Sequence, residues 1–181
     1  VLHIIKLLKE NFGREHHIHL YTSGLGLNLK KAKLLEKYGL DEIRIHPTNT
    51  FPLYLLKKIR KSLKEMKIGI EIPALPDNYS KVKNWLILAE KIGLNFFNLN
   101  ELEFTETNYL NLLERGYKLK SDSLTAAKNS RKVALKLIKY AERRGFRINV
   151  HFCPVRLKDR YQVTLRLFRK AYNIAEKYEN I

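Results

Sequence analysis

Arg44 and His46, Glu71, Asn98 and Asn100, and His151 and Cys153 stand at alternate positions in four short segments. The residues between and beside them are Ile43 and Ile45, Ile70 and Ile72, Phe97 and Leu99, and Val150 and Phe152. Side chains of a β-strand alternate between two faces, so each segment reads as a strand with one apolar and one polar face. A fifth segment, HIHLYTSG at 17–24, alternates Ile18 and Leu20 with His17, His19 and Tyr21. Arginine grips a carboxylate through two parallel hydrogen bonds, and a histidine such as His46 bonds a ribose hydroxyl or moves a proton. A carboxylate in mid-strand, as at Glu71, is costly alone and needs Arg44, a lysine, a ligand or a proton. Thr22 and Ser23, with the free backbone N–H groups of a strand end, suit a carboxylate or phosphate; they equally suit a turn cap.

Two further patterns offer other chemistry. His17, His19, His46 and His151 would make an imidazole metal site if the fold brought them together, and a metal-dependent barrel hydrolase is the corresponding alternative function. Lys128, Lys132, Lys136, Lys139 and Arg143 recur at helical spacing, and Arg166, Lys170 and Lys177 do so on the last helix. Such stripes fit nucleic acid or another acidic partner, and also fit an ordinary solvated helix face. Cys153, the lone cysteine, ends its strand before Pro154.

The elements that must position these residues are marked by punctuation. Charged helical runs stop at Gly13, Gly39, Gly93, Gly116 and Gly145, and a sixth break near Met66 has no glycine. The pattern predicts helices over about 1–12, 28–38, 51–65, 79–92, 105–115, 124–144 and 160–179. It predicts strands over about 16–22, 42–46, 67–73, 95–100, 117–121 and 147–153. Helix-length connections between strands imply a parallel sheet covered by helices. Its polar face then turns toward a shared space at which a polar ligand is held.

The 181 residues suffice for one substantial core. No apolar run approaches the length of a membrane span, so no membrane partner is expected. One cysteine excludes an internal disulfide framework and suits the reducing cytoplasm. Net charge is +17, and residues 115–181 carry 18 Lys or Arg against 5 Asp or Glu, so the last third is the basic part. That asymmetry favours an acidic partner. The chain opens on Val1 inside an amphipathic helix, and the natural start is expected to lie further upstream.

Together these segments resemble the radical S-adenosylmethionine enzymes, most closely archaeal relatives of the pyruvate formate-lyase activating enzyme. HIHLYTSG at 17–24 resembles the family's strand ending in a TNG-type turn, and GLDEIRIHP at 39–47 the next strand, near the ribose and methionine of the cofactor. IEIPALPDN at 70–78 resembles the Ile-Pro-Gly segment near the adenine, and LNFFNLNELEF at 94–104 the sixth strand of a six-stranded partial barrel. Ser23, Ala74 and His46 depart from the family pattern. The resemblance implies an α/β fold, a partial (βα) TIM-type barrel lacking its first two βα units. Residues 1–115 would form the third to sixth units, and 116–181 a basic βα extension packed on the same domain. It implies an enzyme that cleaves S-adenosylmethionine at a [4Fe–4S] cluster to give a 5′-deoxyadenosyl radical. The cluster cysteines, in a C-x-x-x-C-x-x-C motif, are expected upstream of Val1, so the isolated chain would be inactive. Thr22, Ser23, Arg44, His46, Glu71 and Pro73 are the implied cofactor contacts. Asn98, Asn100, His151 and Cys153 are the implied substrate side, for a substrate the residues do not specify.

Overall fold

A computed structural model of the chain describes residues 1–47, 53–176 and 178–179. The start of the helix expected over 51–65, and Lys177, lie outside the described residues. Helices and strands alternate as α1 (Leu2–Phe12), β1 (His19–Thr22), α2 (Leu29–Lys37), β2 (Glu42–Ile45), α3 (Leu53–Ser62), β3 (Lys67–Pro73), α4 (Tyr79–Ile92) and β4 (Phe96–Asn100). Then come α5 (Tyr109–Glu114), α6 (Ser130–Arg143), β5 (Asn149–Cys153), α7 (Val155–Leu157), a π-helical turn (Lys158–Val163) and α8 (Thr164–Ile174). The five strands form one parallel sheet in sequential order, β1 to β5. The parallel α/β architecture is thus as the residue pattern implied, and β5 from the basic third is a strand of the same sheet.

Period-two alternation decides what each face does. Ile43, Ile45, Ile68, Ile70, Phe97 and Leu99 are wholly buried, as are Leu56 of α3, Leu86 of α4 and Leu137 of α6. They form one apolar cluster, so the apolar face packs on the helices. Burying a side chain of this size stabilises the fold by about 1.5–3 kcal/mol, and the polar face is left for other partners.

The amino ends of the strands are tied down by side chains. At Gly93 a left-handed φ of 77° ends α4 and lets the amide bond back to Ala89 and Glu90. The glycine-free break near Met66 is closed differently: Glu36 accepts the amides of Lys64, Glu65 and Met66 at 2.8, 2.9 and 3.0 Å. Asp41 accepts from Ile18 and from Lys9 Nζ, both at 2.7 Å. Asn95 accepts from Ile68, and Glu90 from Arg147 and Ile148.

The strand expected over 117–121 is absent from the sheet. Among the described residues that segment makes one isolated antiparallel bridge, Leu119 with Ala127. The reason is length. With six residues, α5 rises about 9 Å, too little to carry the chain back past a strand of about 17 Å. Residues 101–128 therefore stay at the carboxyl end of the sheet, where Leu102, Phe104, Leu112, Tyr117 and Ala127 bury a second small cluster. The 14-residue α6 makes the return crossing. It begins at Ser130 rather than 124, because 125–127 pair with 102–104 and with 119–120. Ser130 is fully buried; its hydroxyl accepts from the Leu102 amide and donates to the Ala74 carbonyl, each at 2.8 Å. That bridge joins the ends of β3 and β4.

Candidate functional site

Parallel pairing lines the polar positions up in rows. Tyr21, Arg44, Gly69, Phe96 and Asn149 are register partners across the sheet. Glu71, Asn98 and His151 form the next row, and Pro73, Asn100 and Cys153 the one after. Apart from Gly69 and Pro73, these rows floor a cavity of about 700 Å³, which the π-helical turn and α8 border with Lys158, Gln162 and Arg166.

Arg44 is the hub of the β2–β3 side. Its Nε donates to Glu42 at 2.5 Å, and its Nη1 donates to the Tyr21 hydroxyl at 2.8 Å and to Glu71 at 3.1 Å. Glu71 also accepts from Asn98 at 3.1 Å and from Asn100 at 2.9 Å. Burial alone would push the Glu71 carboxyl up. The hydrogen bonds from Asn100 and Asn98 and the charge of Arg44 outweigh it and hold Glu71 below the usual carboxylate range. Burial pulls against the Arg44 guanidinium, but its bond to Glu42 leads a set of contacts that raise it. Burial pushes the Tyr21 phenol up, with Glu71 adding to the shift. Burial likewise pushes the Cys153 thiol up, so it stays protonated at neutral pH. An ionised carboxylate, a fixed guanidinium and neutral amides hold a ligand; none is poised to exchange protons near neutrality.

Gly69 explains how Phe96 fits among these polar groups. A Cβ at Gly69 would collide with the Phe96 ring and carbonyl. Only glycine lets the ring lie across β3, where it gives the cavity floor one apolar plate.

The structure gathers Arg44, Glu71, Asn98, Asn100, His151 and Cys153 on one cavity, and makes the Arg44–Glu71 pair that adjoining strands allow. His46 is not among the lining residues; its Nδ1 donates to the Glu71 carbonyl at 3.1 Å. Thr22, Ser23 and Pro73 are not among the lining residues. Thr22 accepts from the Gly24 amide at 3.0 Å, and Ser23 from Leu25 at 3.4 Å, the turn-capping role open to them.

The imidazole metal site does not form. Among the described residues no three His, Cys, Asp or Glu side chains stand where they could hold a metal ion. The His17 and His19 rings lie 5.7 Å apart at the amino end of β1, whereas His46 follows β2 at its carboxyl end and His151 lies on β5. Strand polarity separates them.

Along α6, Lys132, Lys136, Lys139 and Arg143 flank a shallow groove with Tyr79, and the Lys136 ammonium sits 4.5 Å from the Tyr79 ring centre. Lys128 lies before the helix, outside that groove. Among the described residues no helix is long and apolar enough to cross a membrane.

Several lining residues escaped the sequence. Glu42, Phe96 and Asn149 each lie two positions before a chosen residue on the same face, so the alternation did contain them. Lys158, Gln162 and Arg166 had only a spacing of four, which any helix face shows.

Fold and site together define a parallel α/β protein with a polar ligand cradle on its sheet. No family model matches the chain. The chain is 40% identical, over 98% of its length, to a protein of Methanocaldococcus jannaschii named "Putative glycyl-radical enzyme activating enzyme". It spans about half of that relative, 48% of its length. That similarity bears out the resemblance to the radical S-adenosylmethionine relatives of the activating enzymes. The comparison gives no support to nucleic acid as the partner of the α6 stripe.

Proposed function

We propose that this chain is the cofactor- and substrate-holding part of a radical S-adenosylmethionine activating enzyme whose protein substrate is a glycyl-radical enzyme. The observation that carries this reading is the 40% identity over nearly the whole chain to a protein named as such an activating enzyme. The cradle supports it. A volume of about 700 Å³ falls in the range of small-molecule sites, about 300–1,000 Å³. Glu42 and Glu71 share one guanidinium, and two carboxylates on the cavity wall suit the sulfonium and amine of S-adenosylmethionine. Bonding through Nδ1 fixes the tautomer of His46 and leaves Nε2 for a ribose hydroxyl.

S-adenosylmethionine, cleaved reductively at a [4Fe–4S] cluster, supplies a 5′-deoxyadenosyl radical. The residues present do not fit the cluster: Cys153 is the sole cysteine, and burial keeps it protonated. The cluster ligands would come from elsewhere in the whole protein, with the first two βα units of a partial barrel. In this proposal the outer edge of β1, unpaired among the described residues, is where those units join. Arg44, Glu71 and the paired asparagines hold and orient; the ring of Phe96 and the helices exclude water.

In the whole protein with its cluster in place, S-adenosylmethionine and a reductant should yield 5′-deoxyadenosine, and Arg44→Ala should lower the yield at least tenfold. The 181-residue chain alone should take up no [4Fe–4S] cluster. Absence of 5′-deoxyadenosine, or an Arg44→Ala protein of full activity, would overturn the proposal.

A further inference from the structure

The cavity has two sides that differ in one respect. On the β2–β4 side, Glu42, Arg44, Glu71, Asn98 and Asn100 are joined in one hydrogen-bonded network. On the β5 side, Asn149, His151, Gln162 and Arg166 line the same space, and none has a side-chain hydrogen bond or ion pair among the described residues. Lys158, beside them, is already paired with Glu103. Gln162 and Arg166 stand four and eight positions after Lys158, on and just beyond the π-helical turn. A π-turn inside a helix re-aims side chains and is common at functional sites.

The β2–β4 network is pre-set by its own bonds, so it meets a ligand as a fixed polar surface. Uncommitted donors elsewhere around a cavity are free to meet a further group of a ligand. Arg166 supplies a planar cationic fork, Gln162 and Asn149 supply amide donors, and His151 supplies an imidazole that can donate. Among the described residues, the carboxylate lining this side is Glu103, and it is paired with Lys158, so the charge of Arg166 is left uncompensated. We infer that the β5 side of the cavity, centred on Arg166 and His151, is a binding subsite for an oxyanion, a carboxylate or phosphate group carried by the substrate. The anion chemistry stands on these residues alone; assigning it to the substrate rests on the function proposed above.

The test uses the 181-residue chain without S-adenosylmethionine, so a failure here is distinguishable from a failure of the cofactor reading. Inorganic phosphate and succinate are titrated separately while the ring-proton resonances of His151 are followed. The expected result is a saturable shift of His151 with one or both anions. Arg166→Ala should weaken it at least tenfold, Arg166→Lys should restore part of it, and Lys136→Ala on α6 should leave it unchanged. Arg166 is exposed, so its variants should fold, and an unchanged Tm verifies this. Response to phosphate alone assigns a phosphorylated ligand, and response to succinate alone assigns a carboxylate. No saturable shift, or equal weakening by Arg166→Ala and Lys136→Ala, would overturn the inference.

Discussion

Glu36, Asp41, Glu90 and Asn95 lie at the amino ends of the strands, and Arg44, Glu71, Asn98 and Asn100 lie nearer the carboxyl ends, yet the two sets bond in different ways. The first set accepts backbone amides: three for Glu36, and one or two for each of the others. The second set bonds side chain to side chain above a cavity. A carboxylate aimed at backbone amides fixes where a strand begins. A carboxylate aimed at other side chains leaves a polar surface on which a ligand can rest. The same residue type is thus tied to the backbone at one end of the sheet and to a cavity surface at the other, and partner type separates the cases.

The largest expected effect falls where the two ends meet. Gly69→Ala forces a methyl group into the Phe96 ring and backbone, and should cost about 3 kcal/mol by overpacking, read as a lower urea midpoint. Next is Ser130→Ala, which orphans the Leu102 amide and the Ala74 carbonyl. It should cost about 1–3 kcal/mol and loosen the cavity at the ends of β3 and β4. Glu36→Ala should remove about 1–2 kcal/mol, as loss of a strong cap does, without weakening ligand binding. A Glu36→Ala protein that lost ligand affinity as strongly as Arg44→Ala would dissolve the distinction between the two ends.

The smallest effects are those of pH. Glu36, Asp41 and Glu71 are all held below their ordinary values: burial opposes this, and backbone amides, Lys9 or the asparagines and Arg44 outweigh it. Their stabilisation is complete above the ordinary carboxylate range and is lost as pH falls through the lowered native values. Acid unfolding followed by circular dichroism should therefore flatten in Glu36→Gln. On the alkaline side, burial and the bond to Asp77 push the Tyr117 phenol up to about 12. The native state keeps that proton longer than the unfolded chain, so stability should fall from about pH 10. Tyr117→Phe should remove that slope.

The parallel sheet was legible because apolar and polar residues alternate through most of β2 to β5, with Gly69 and Phe96 as breaks on the polar face, and because glycine marks most helix ends. The Arg44–Glu71 pair was legible because the two strands adjoin and share a face. What was not legible depended on length and on helices. Tyr117 and Leu119 alternate with lysines as a strand would, and only the shortness of α5 keeps them out of the sheet. Arg166 looked like one more surface cation, because nothing local shows that a π-turn brings its helix to the cavity.

We propose that the side chains above β2–β4 form an S-adenosylmethionine cradle. Titration calorimetry of S-adenosylmethionine into the 181-residue chain and its variants tests it most directly. Saturable binding is predicted, weakened at least tenfold by Arg44→Ala and Glu71→Gln and untouched by Lys136→Ala. Absence of binding, or binding indifferent to Arg44 and Glu71, would contradict it.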